Sequence, residues 1–415
     1  MHELPLHNPA EMRHVLLLDG VAGLMDVTTN RAVVGTRNSG IDLLRGLAIL
    51  LVVLHHIGLR IPLKKSLLAD VLPTRLLSAL NYNGYEAVFV FFVISGFLIA
   101  SHALRRDGAL AQIDLRAFYA RRFSRIAPCL VLLVVVLSVL HLLGVDDYVI
   151  KREGQSLPRA IVAALGFHLN WYEGVTGYLP GNWDVLWSLS IEEVFYIGFP
   201  LVCLLTRRAW LLVPMLAVLA LSLPFTRAVL EGNEIWQEKA YLPGMAAIAT
   251  GVLGALLTTR WPAASAGVSR AVLWVGAVGL LAVLLAERWL WPLLHDGSML
   301  VLTTSSLCLV VACQWRQDLP ALQGLGWLRR WGQLSYEIYL THMFVVFAVV
   351  RAYKAMGSDQ ALGFLWYLPA LPLCWLLGAM VERFISTPTE RRLRTRLLSR
   401  SVVRQPAVQP ATAMD

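Results

Sequence analysis

The stretch that decides the fold covers residues 43–59 and reads LLRGLAILLVVLHHIGL. It is apolar and long enough to cross the hydrocarbon core of a bilayer as a helix, which takes about 20 mostly apolar residues. Three ionisable side chains interrupt it, namely Arg45 near its start and His55 and His56 near its end. Because ionisable groups inside a membrane span are costly to bury, a span that carries them is a candidate functional site.

Further apolar blocks follow the first one, and the composition fits a chain built from such blocks. The sequence is 57% hydrophobic and 15% charged, whereas soluble domains average about 45–50% apolar and about 25% charged residues. This composition excludes a soluble enzyme, a disordered chain and a small secreted scaffold. The predicted spans lie at about residues 43–59, 86–104, 126–144, 185–206, 210–226, 241–258, 271–286, 298–314, 334–352 and 362–384.

The distribution of Lys and Arg sets the predicted topology. The chain carries 36 Lys and Arg against 27 Asp and Glu, a formal net charge of +9. Basic residues of short loops favour the cytoplasmic side, and ten spans with both termini in the cytoplasm place about two thirds of them there. Counting the shorter apolar run at about residues 158–172 as an eleventh span would reverse this bias. We therefore predict an all-α polytopic membrane protein with about ten transmembrane helices, in which 158–172 is re-entrant or interfacial.

The same pattern divides the chain into three regions. Residues 1–40 are polar and are expected to form an N-terminal extension, residues 41–390 a transmembrane domain, and residues 391–415 a basic, disordered C-terminal tail. Cytoplasmic loops account for the positive charge, so the expected partner is the lipid bilayer and not nucleic acid. The five cysteines form no C-x-x-C pair, and adjacent histidines point apart on a helix, so no bound metal is expected.

Arg45 and His56 share one face of the first predicted span. They are eleven residues apart, close to three helical turns, which corresponds to about 16 Å along the axis, while His55 is turned about 100° away. One interpretation is a functional pair. The alternative is that Arg45 extends to the lipid headgroups and that His56 is a hydrogen-bonded packing residue.

A basic cluster precedes the third predicted span. Within it, Arg122 and Arg125 are three residues apart and fall on the same side if the segment is helical. Guanidinium groups in this arrangement suit a phosphate-bearing ligand, because each can bind two oxygens. Plain topology explains the same basic cluster without any ligand.

Two adjacent carboxylates, Glu192 and Glu193, lie in the fourth predicted span, at about the depth expected for His56. A carboxylate beside a histidine increases the basicity of the imidazole and fixes its tautomer. The competing interpretation is structural pairing with an Arg or Lys elsewhere. In the ninth predicted span, His342 lies three residues after Tyr339 and is the rival candidate for a proton-transfer role.

Several motifs occur in a defined order along the chain. They are Arg45 followed by His56 after ten intervening residues, FFVISGF at 91–97, Arg122-x-x-Arg125 before Pro128, Trp187-Ser188-Leu189-x-x-Glu192-Glu193, and Leu334-Ser335-Tyr336-x-x-Tyr339-Leu340-x-His342. In this order they resemble acyltransferase family 3, whose transmembrane members O-acetylate sugars of cell-surface polysaccharides and some small molecules. The resemblance covers about residues 38–390. One departure is Ser386-Thr387-Pro388, where the family often has Glu-x-Pro after the final span.

The resemblance implies a function, a location and a set of site residues. The implied reaction moves an acetyl or short acyl group from acyl-CoA to a hydroxyl of a cell-surface polysaccharide, glycolipid or related sugar. Acetyl-CoA is then a co-substrate and no cofactor is bound. The implied location is the bacterial inner membrane, as a multi-pass protein. The implied catalytic residues are His56, Glu192, Glu193 and, as the rival base, His342; the implied residues for acyl-CoA are Arg45, Arg122 and Arg125.

A transporter or flippase for an acyl group or a lipid-linked sugar is the alternative function. Polar residues inside membrane spans fit that class of protein as well. Transporters often show inverted repeats and helices broken by Gly or Pro in both halves. No such repeat is evident in this sequence, so the acyltransferase interpretation is preferred.

Overall fold

The computed structural model of the protein describes residues 37–316 and 324–399. Most of the predicted N-terminal extension, residues 1–40, and the part of the predicted tail beyond residue 399 lie outside these ranges. Within them the chain is helical and contains no β-strand. The predicted all-α class is therefore confirmed for the described part of the chain.

The α-helices of the described residues are numbered in chain order. They are α1 Ser39–Gly58, α2 Thr74–Tyr82, α3 Gly84–Asp107, α4 Leu115–Leu142, α5 Leu157–Leu165, α6 Leu169–Thr176, α7 Gly181–Asp184, α8 Leu186–Thr206, α9 Ala209–Leu221, α10 Leu223–Ala228, α11 Glu234–Lys239, α12 Tyr241–Arg260, α13 Ala266–Leu294, α14 Gly297–Trp315, α15 Gly326–Gln333, α16 Ser335–Ala355, α17 Tyr367–Val381 and α18 Thr387–Ser399. Short 3-10 turns lie at Leu63–Lys65, Leu67–Asp70, Leu110–Gln112, Asp146–Tyr148 and Gly363–Trp366, and a π-helical turn at Glu382–Ser386.

Nine helical segments of the described residues are long and apolar enough to cross a membrane, one fewer than predicted. The difference lies at the predicted span 210–226, which is divided into α9 and α10. Pro224 has no N–H and cannot continue the hydrogen-bond ladder to Ala220, so the helix breaks there. With 13 residues, α9 covers about 20 Å, less than the hydrocarbon core of about 30 Å.

The basic segment before the third span is part of a helix. α4 begins at Leu115, well before residue 126, because the Asp114 side chain caps it by accepting a hydrogen bond of 3.0 Å from the backbone N–H of Ala117. Arg122 and Arg125 therefore lie one turn apart on the same side of a helix, as required for joint binding of a ligand.

The chain remains helical after the last span. α17 continues through the π-helical turn into α18, which ends at Ser399. Residues 391–399 are therefore helical, although the sequence predicts that a disordered tail begins at residue 391. The run at 158–172 forms parts of two short helices, α5 and α6. Its re-entrant character and the cytoplasmic location of both termini stay predictions.

Glycines allow close helix contacts in the described fold. A Cβ on Gly96 would lie 1.9 Å from the carbonyl oxygen of Ile248, and one on Gly251 would lie 1.9 Å from that of Val93. α3 and α12 therefore touch backbone to backbone, the arrangement that small residues allow in membrane helices. On α1, a Cβ at Gly46 would lie 2.0 Å from the carbonyl oxygen of Leu328. This contact seats α15 beside Arg45.

We expect Gly251→Ala to destabilise the protein by about 1–3 kcal/mol, because the added methyl group would overlap the backbone of α3. Gly198→Ala is the matched control, since a Cβ at Gly198 meets nothing within 4 Å and the change removes a flexible residue from a helix. Thermal unfolding of the detergent-purified variants measures both effects. Equal melting temperatures for the two variants would contradict the close packing of α3 and α12.

Candidate active site

His56 and His342 form a pair of neighbouring imidazoles. Their ring centroids are 4.9 Å apart, and His342 Nε2 lies 3.4 Å from His56 Nδ1. His342 is fully buried, whereas His56 is half-buried. The ring of His55 is 5.1 Å from that of His56 on the same helix. His55, His56 and His342 together are called the histidine cluster below.

The hydrogen bonds fix the tautomers of the two paired histidines. His56 Nδ1 is 2.8 Å from the carbonyl oxygen of Val52, and His342 Nδ1 is 2.8 Å from that of Tyr339. A carbonyl oxygen only accepts hydrogen bonds, so in both neutral rings Nδ1 carries the proton and Nε2 a lone pair. The Nδ1–H of His56 then faces both Val52 and the Nε2 lone pair of His342. This leaves His56 Nε2 unprotonated, as a general base requires.

Arg45 lies at the opposite end of α1, where it donates a hydrogen bond of 2.8 Å to Ser335 Oγ. α1 is an uninterrupted helix between Arg45 and His56, so the predicted shared face and separation of about 16 Å hold. Ser335 begins α16, the same helix that carries His342. Two contacts therefore join α1 and α16, one at each end.

The carboxylate of Glu192 lies close to arginines. Ser95 Oγ donates to it at 3.1 Å and the Tyr196 hydroxyl at 3.4 Å. Arg122 and Arg45 are both within electrostatic range of this carboxylate, and the guanidinium of Arg122 stacks over the Tyr196 ring at 4.0 Å. Arg45, Arg122, Arg125 and Glu192 are called the arginine cluster below.

The expected depth of Glu192 is wrong. A Cβ on Gly84 would lie 2.4 Å from the His55 ring, so the start of α3 marks the level of the histidine cluster. Ser95, which donates to Glu192, is eleven residues further along α3, or about 16 Å. Glu192 thus lies near the level of Arg45, and the described hydrogen bonds of the His56 ring go to Val52 and His342 instead.

Glu193 is buried and does not orient His56 by any described hydrogen bond. Its Oε1 atom has no hydrogen-bond partner among the residues that the structure describes. Arg122 is within electrostatic range of this carboxylate, as it is of Glu192. Both predicted carboxylates therefore belong with the arginines and not with the histidines.

Arg125 is the exposed member of the arginine pair and faces a second carboxylate. It lies within electrostatic range of Glu337, whose Oε1 accepts a hydrogen bond of 2.7 Å from Ser386 Oγ. Ser386 is the residue that stands where the resembled family often has Glu. Ser386 therefore contacts the carboxylate of Glu337. The carboxylate of Glu382 instead accepts a hydrogen bond of 3.2 Å from Thr387.

A buried ion triad beside the histidine cluster escaped the sequence analysis. Lys239 Nζ binds Glu173 Oε2 at 3.0 Å and also Asp184 Oδ1. Lys239 is 3% exposed and Glu173 0% exposed. Asp184 in turn lies within electrostatic range of His55 and Tyr339. In the sequence, Lys239 precedes an apolar block and Asp184 precedes Trp187. Each is a weak signal by itself, because only the fold brings the two residues together.

Arg60 also lies at the histidine end of the site. Its Nη1 donates to the carbonyl oxygen of His56 at 2.9 Å, and its guanidinium lies 4.9 Å from the Phe347 ring centroid. Burial lowers the pKa of Arg60, and the carboxylates of Asp147 and Asp184 oppose that shift. Arg60 and the carboxylate of Asp184 therefore both lie near the histidine cluster.

Tyr339 fixes the start of α8 against α16. Its hydroxyl lies 2.7 Å from Ser188 Oγ and 2.9 Å from the carbonyl oxygen of Val185, and its ring is 6.0 Å from that of His342.

No group of three or more His, Cys, Asp or Glu side chains in the described ranges is arranged to hold a metal ion. The chemistry that the residues offer is proton transfer at His56 and anion binding at the arginine cluster.

Comparisons with known proteins agree on one family. The model of the acyltransferase domain matches residues 38–383. O-acetyltransferase OatA of Staphylococcus aureus strain NCTC 8325 is 24% identical over 385 residues, which cover 85% of this chain and 57% of the relative. A protein of S. aureus strain COL with a provisional O-acetyltransferase name is 25% identical over 379 residues, covering 84% and 56%. The chain thus spans little more than half the length of these relatives, and no solved structure matches it significantly.

We expect Lys239→Met to destabilise the protein by about 3–5 kcal/mol, because it leaves two carboxylates buried without their cation. Lys239→Met/Glu173→Gln should recover part of the loss, since one of those charges is removed. The matched control is Lys151→Met, whose ion pair with Asp146 is exposed and should not contribute measurably. Melting temperatures in detergent test this, and an unchanged value for Lys239→Met would contradict the triad.

Proposed function

The chain belongs to the acyltransferase family whose domain model spans residues 38–383, and from this premise we propose the reaction that it catalyses. It transfers an acetyl or other short acyl group from acyl-CoA to a hydroxyl of a cell-surface polysaccharide, glycolipid or related sugar. The observation that carries the proposal is the His56–His342 pair. It leaves the Nε2 lone pair of His56 available as a base on the same helix as Arg45.

The chemical step needs only one base. His56 Nε2 accepts the proton of the acceptor hydroxyl while the hydroxyl oxygen attacks the thioester carbonyl. A new oxygen–acyl bond forms, the carbon–sulfur bond breaks, and CoA leaves as a thiolate that the His56 imidazolium protonates. His342 orients His56 by accepting from its Nδ1–H, and this bond strengthens when His56 becomes positively charged. His342 is thus a positioning residue and His56 the base.

The arginine cluster binds the phosphates of the donor. Arg122 and Arg125 lie on one side of α4, and guanidinium groups bind phosphate oxygens in a bidentate manner. Arg45, which is held by Ser335, adds a third cation at the same level. The neutral pantetheine arm of acyl-CoA then extends along α1 towards His56. Glu192 has a positioning role for Arg122 in this arrangement, and Glu193 lies within electrostatic range of the same guanidinium.

The proposed reaction fits a multi-pass protein of the bacterial inner membrane. Acyl-CoA is a cytoplasmic compound, so the arginine cluster would face the cytoplasm and the histidine cluster the outer half of the bilayer. This orientation agrees with both termini in the cytoplasm, the topology that the positive-inside rule predicts.

We expect His56→Ala to lower acetyl transfer by about 100-fold or more, because a general base typically contributes 10²–10⁴ in rate. His342→Ala should lower it by about 10–100-fold, because a hydrogen bond to a charged group contributes about 1.5–3 kcal/mol. His295→Asn, at an exposed histidine, is the control and should leave the rate unchanged. The assay measures thiol release from acetyl-CoA by purified protein given envelope glycan from a strain that lacks the gene. Full activity of His56→Ala would refute the mechanism. Loss of acetyl transfer in His342→Ala alone would identify His342 as the base.

We expect Arg122→Gln to raise the half-saturating concentration of acetyl-CoA by about tenfold or more, the effect of losing charge-assisted hydrogen bonds. Arg116→Gln removes the same charge from an exposed position of the same helix and serves as the control. Initial rates against acetyl-CoA concentration provide the measurement. Equal shifts in the two variants would show that Arg122 acts only through the overall positive charge of α4.

A further inference from the structure

Asp184 is the open member of the buried ion triad. The side chains of Lys239 and Glu173 are 4% and 0% exposed, whereas that of Asp184 is 22% exposed. The described contact of Asp184 with Lys239 is made by Oδ1, which leaves Oδ2 to accept a hydrogen bond from a ligand. The triad is thus closed on the side of Glu173 and open on the side of Asp184.

An exposed aromatic residue lies beside this carboxylate. Tyr178 is 37% exposed, and Lys239 Nζ lies 4.4 Å from the centroid of its ring. The same ammonium group binds Asp184, so the aromatic ring and the carboxylate are neighbours. The residue after Tyr178 is also held by the triad, because the backbone N–H of Leu179 donates to Glu173 Oε1 at 3.0 Å. The triad therefore fixes the position of the ring next to the open carboxylate.

The short helix α7, which ends at Asp184, is attached to the histidine end of the site by both of its ends. At its start, a Cβ on Gly181 would lie 3.4 Å from Nη2 of Arg60, whose Nη1 donates to the carbonyl oxygen of His56. Directly after its end, the carbonyl oxygen of Val185 accepts a hydrogen bond of 2.9 Å from the Tyr339 hydroxyl. α7 therefore lies at the level of the histidine cluster.

The carboxylate of Asp184 faces the histidine cluster itself. His55 and Tyr339 both lie within its electrostatic range. The ring of His55 is 5.1 Å from that of His56, and the ring of Tyr339 is 6.0 Å from that of His342. A ligand bound at Asp184 is therefore next to the histidine cluster.

The chemistry of Asp184 and Tyr178 selects a neutral ligand with hydroxyl groups. A carboxylate only accepts hydrogen bonds, so the ligand must donate them. The face of an aromatic ring carries partial negative charge and attracts the C–H bonds of a sugar ring. Lys239 and Arg60 disfavour a cationic ligand, and the carboxylate itself disfavours an anionic one such as the phosphates of acyl-CoA. A sugar meets all of these conditions.

The geometry points to Asp184 and Tyr178 as a binding site for the acceptor sugar, in which Asp184 accepts hydrogen bonds from hydroxyls and the Tyr178 ring packs against the sugar ring. The sugar is thereby held beside the histidine cluster. This inference rests on the proposed function, because it takes His56 as the reaction centre. Neither residue makes or breaks a covalent bond. Both contribute to the affinity for the acceptor and make no contribution to the binding of acyl-CoA.

The first test replaces the carboxylate with an amide, Asp184→Asn. The amide oxygen can still accept from Lys239, but the amide nitrogen, in place of Oδ2, cannot accept from a hydroxyl. The probe is the envelope glycan of the gene-deleted strain, titrated at saturating acetyl-CoA with the purified protein. We expect the half-saturating glycan concentration to rise by about tenfold or more, the cost of losing a charge-assisted hydrogen bond, while that of acetyl-CoA stays within about twofold.

Glu173→Gln is the matched control, because it changes a carboxylate to an amide in the closed member of the same triad. Its glycan titration should follow that of the wild type. The melting temperatures of both variants in detergent report any loss of stability. An equal shift of the glycan titration in Glu173→Gln and Asp184→Asn would show that the triad acts only through the fold, and it would overturn the inference.

Tyr178 provides a second test that leaves the charges of the triad unchanged and therefore applies even if Asp184→Asn does not fold. Tyr178→Leu should raise the half-saturating glycan concentration by about three- to tenfold, the cost of losing an aromatic contact. Tyr178→Phe keeps the ring and should stay within about twofold of the wild type. A glycan titration of Tyr178→Leu or Asp184→Asn that superimposes on the wild type would overturn the inference while leaving the proposed function intact. Absence of transfer by the wild-type protein would instead overturn the proposed function itself.

Discussion

Inside a membrane-spanning bundle, a polar side chain is stable only where another group compensates its loss of water. This constraint selects the contacts on which the structure depends. Arg45 binds Ser335, His56 faces His342, and Glu192 accepts from Ser95. Each of these contacts joins two different helices. These polar contacts therefore help to determine which helices meet and at what height.

The arginine cluster and the histidine cluster lie at opposite ends of the site because a single helix, α1, contributes to each. α1 contributes Arg45 to the arginine cluster and His56 to the histidine cluster, and α16 binds it at each end through Ser335 and His342. In the proposed function, anion recognition and proton transfer are thus kept apart along the bundle. A long donor with charge at one end and a reactive thioester at the other suits such a separation, whereas a compact donor would reach only one end.

The sequence predicts the helical class, most of the spans and the shared face of Arg45 and His56, because these properties depend on local hydrophobicity and helical periodicity. It fails where packing between distant segments decides. The depth of Glu192 depends on how α8 is offset against α3, and the Lys239–Glu173–Asp184 triad joins three separate helices. Sequence spacing also made His342 a rival of His56, whereas the fold makes the two neighbours. Pro224 can be read in the sequence, but the continuous apolar composition around it still predicts a single span.

Because α1 is a continuous helix, it fixes both the distance and the relative orientation of the arginine and histidine clusters. One residue inserted or deleted between Gly46 and His55 would turn His56 by about 100° and move it by about 1.5 Å relative to Arg45. The Gly46 contact with Leu328 would prevent α1 from sliding to compensate. Related proteins that share this arrangement should therefore diverge in this segment by substitution alone, and they should tolerate changes of length only in the loops that connect the helices.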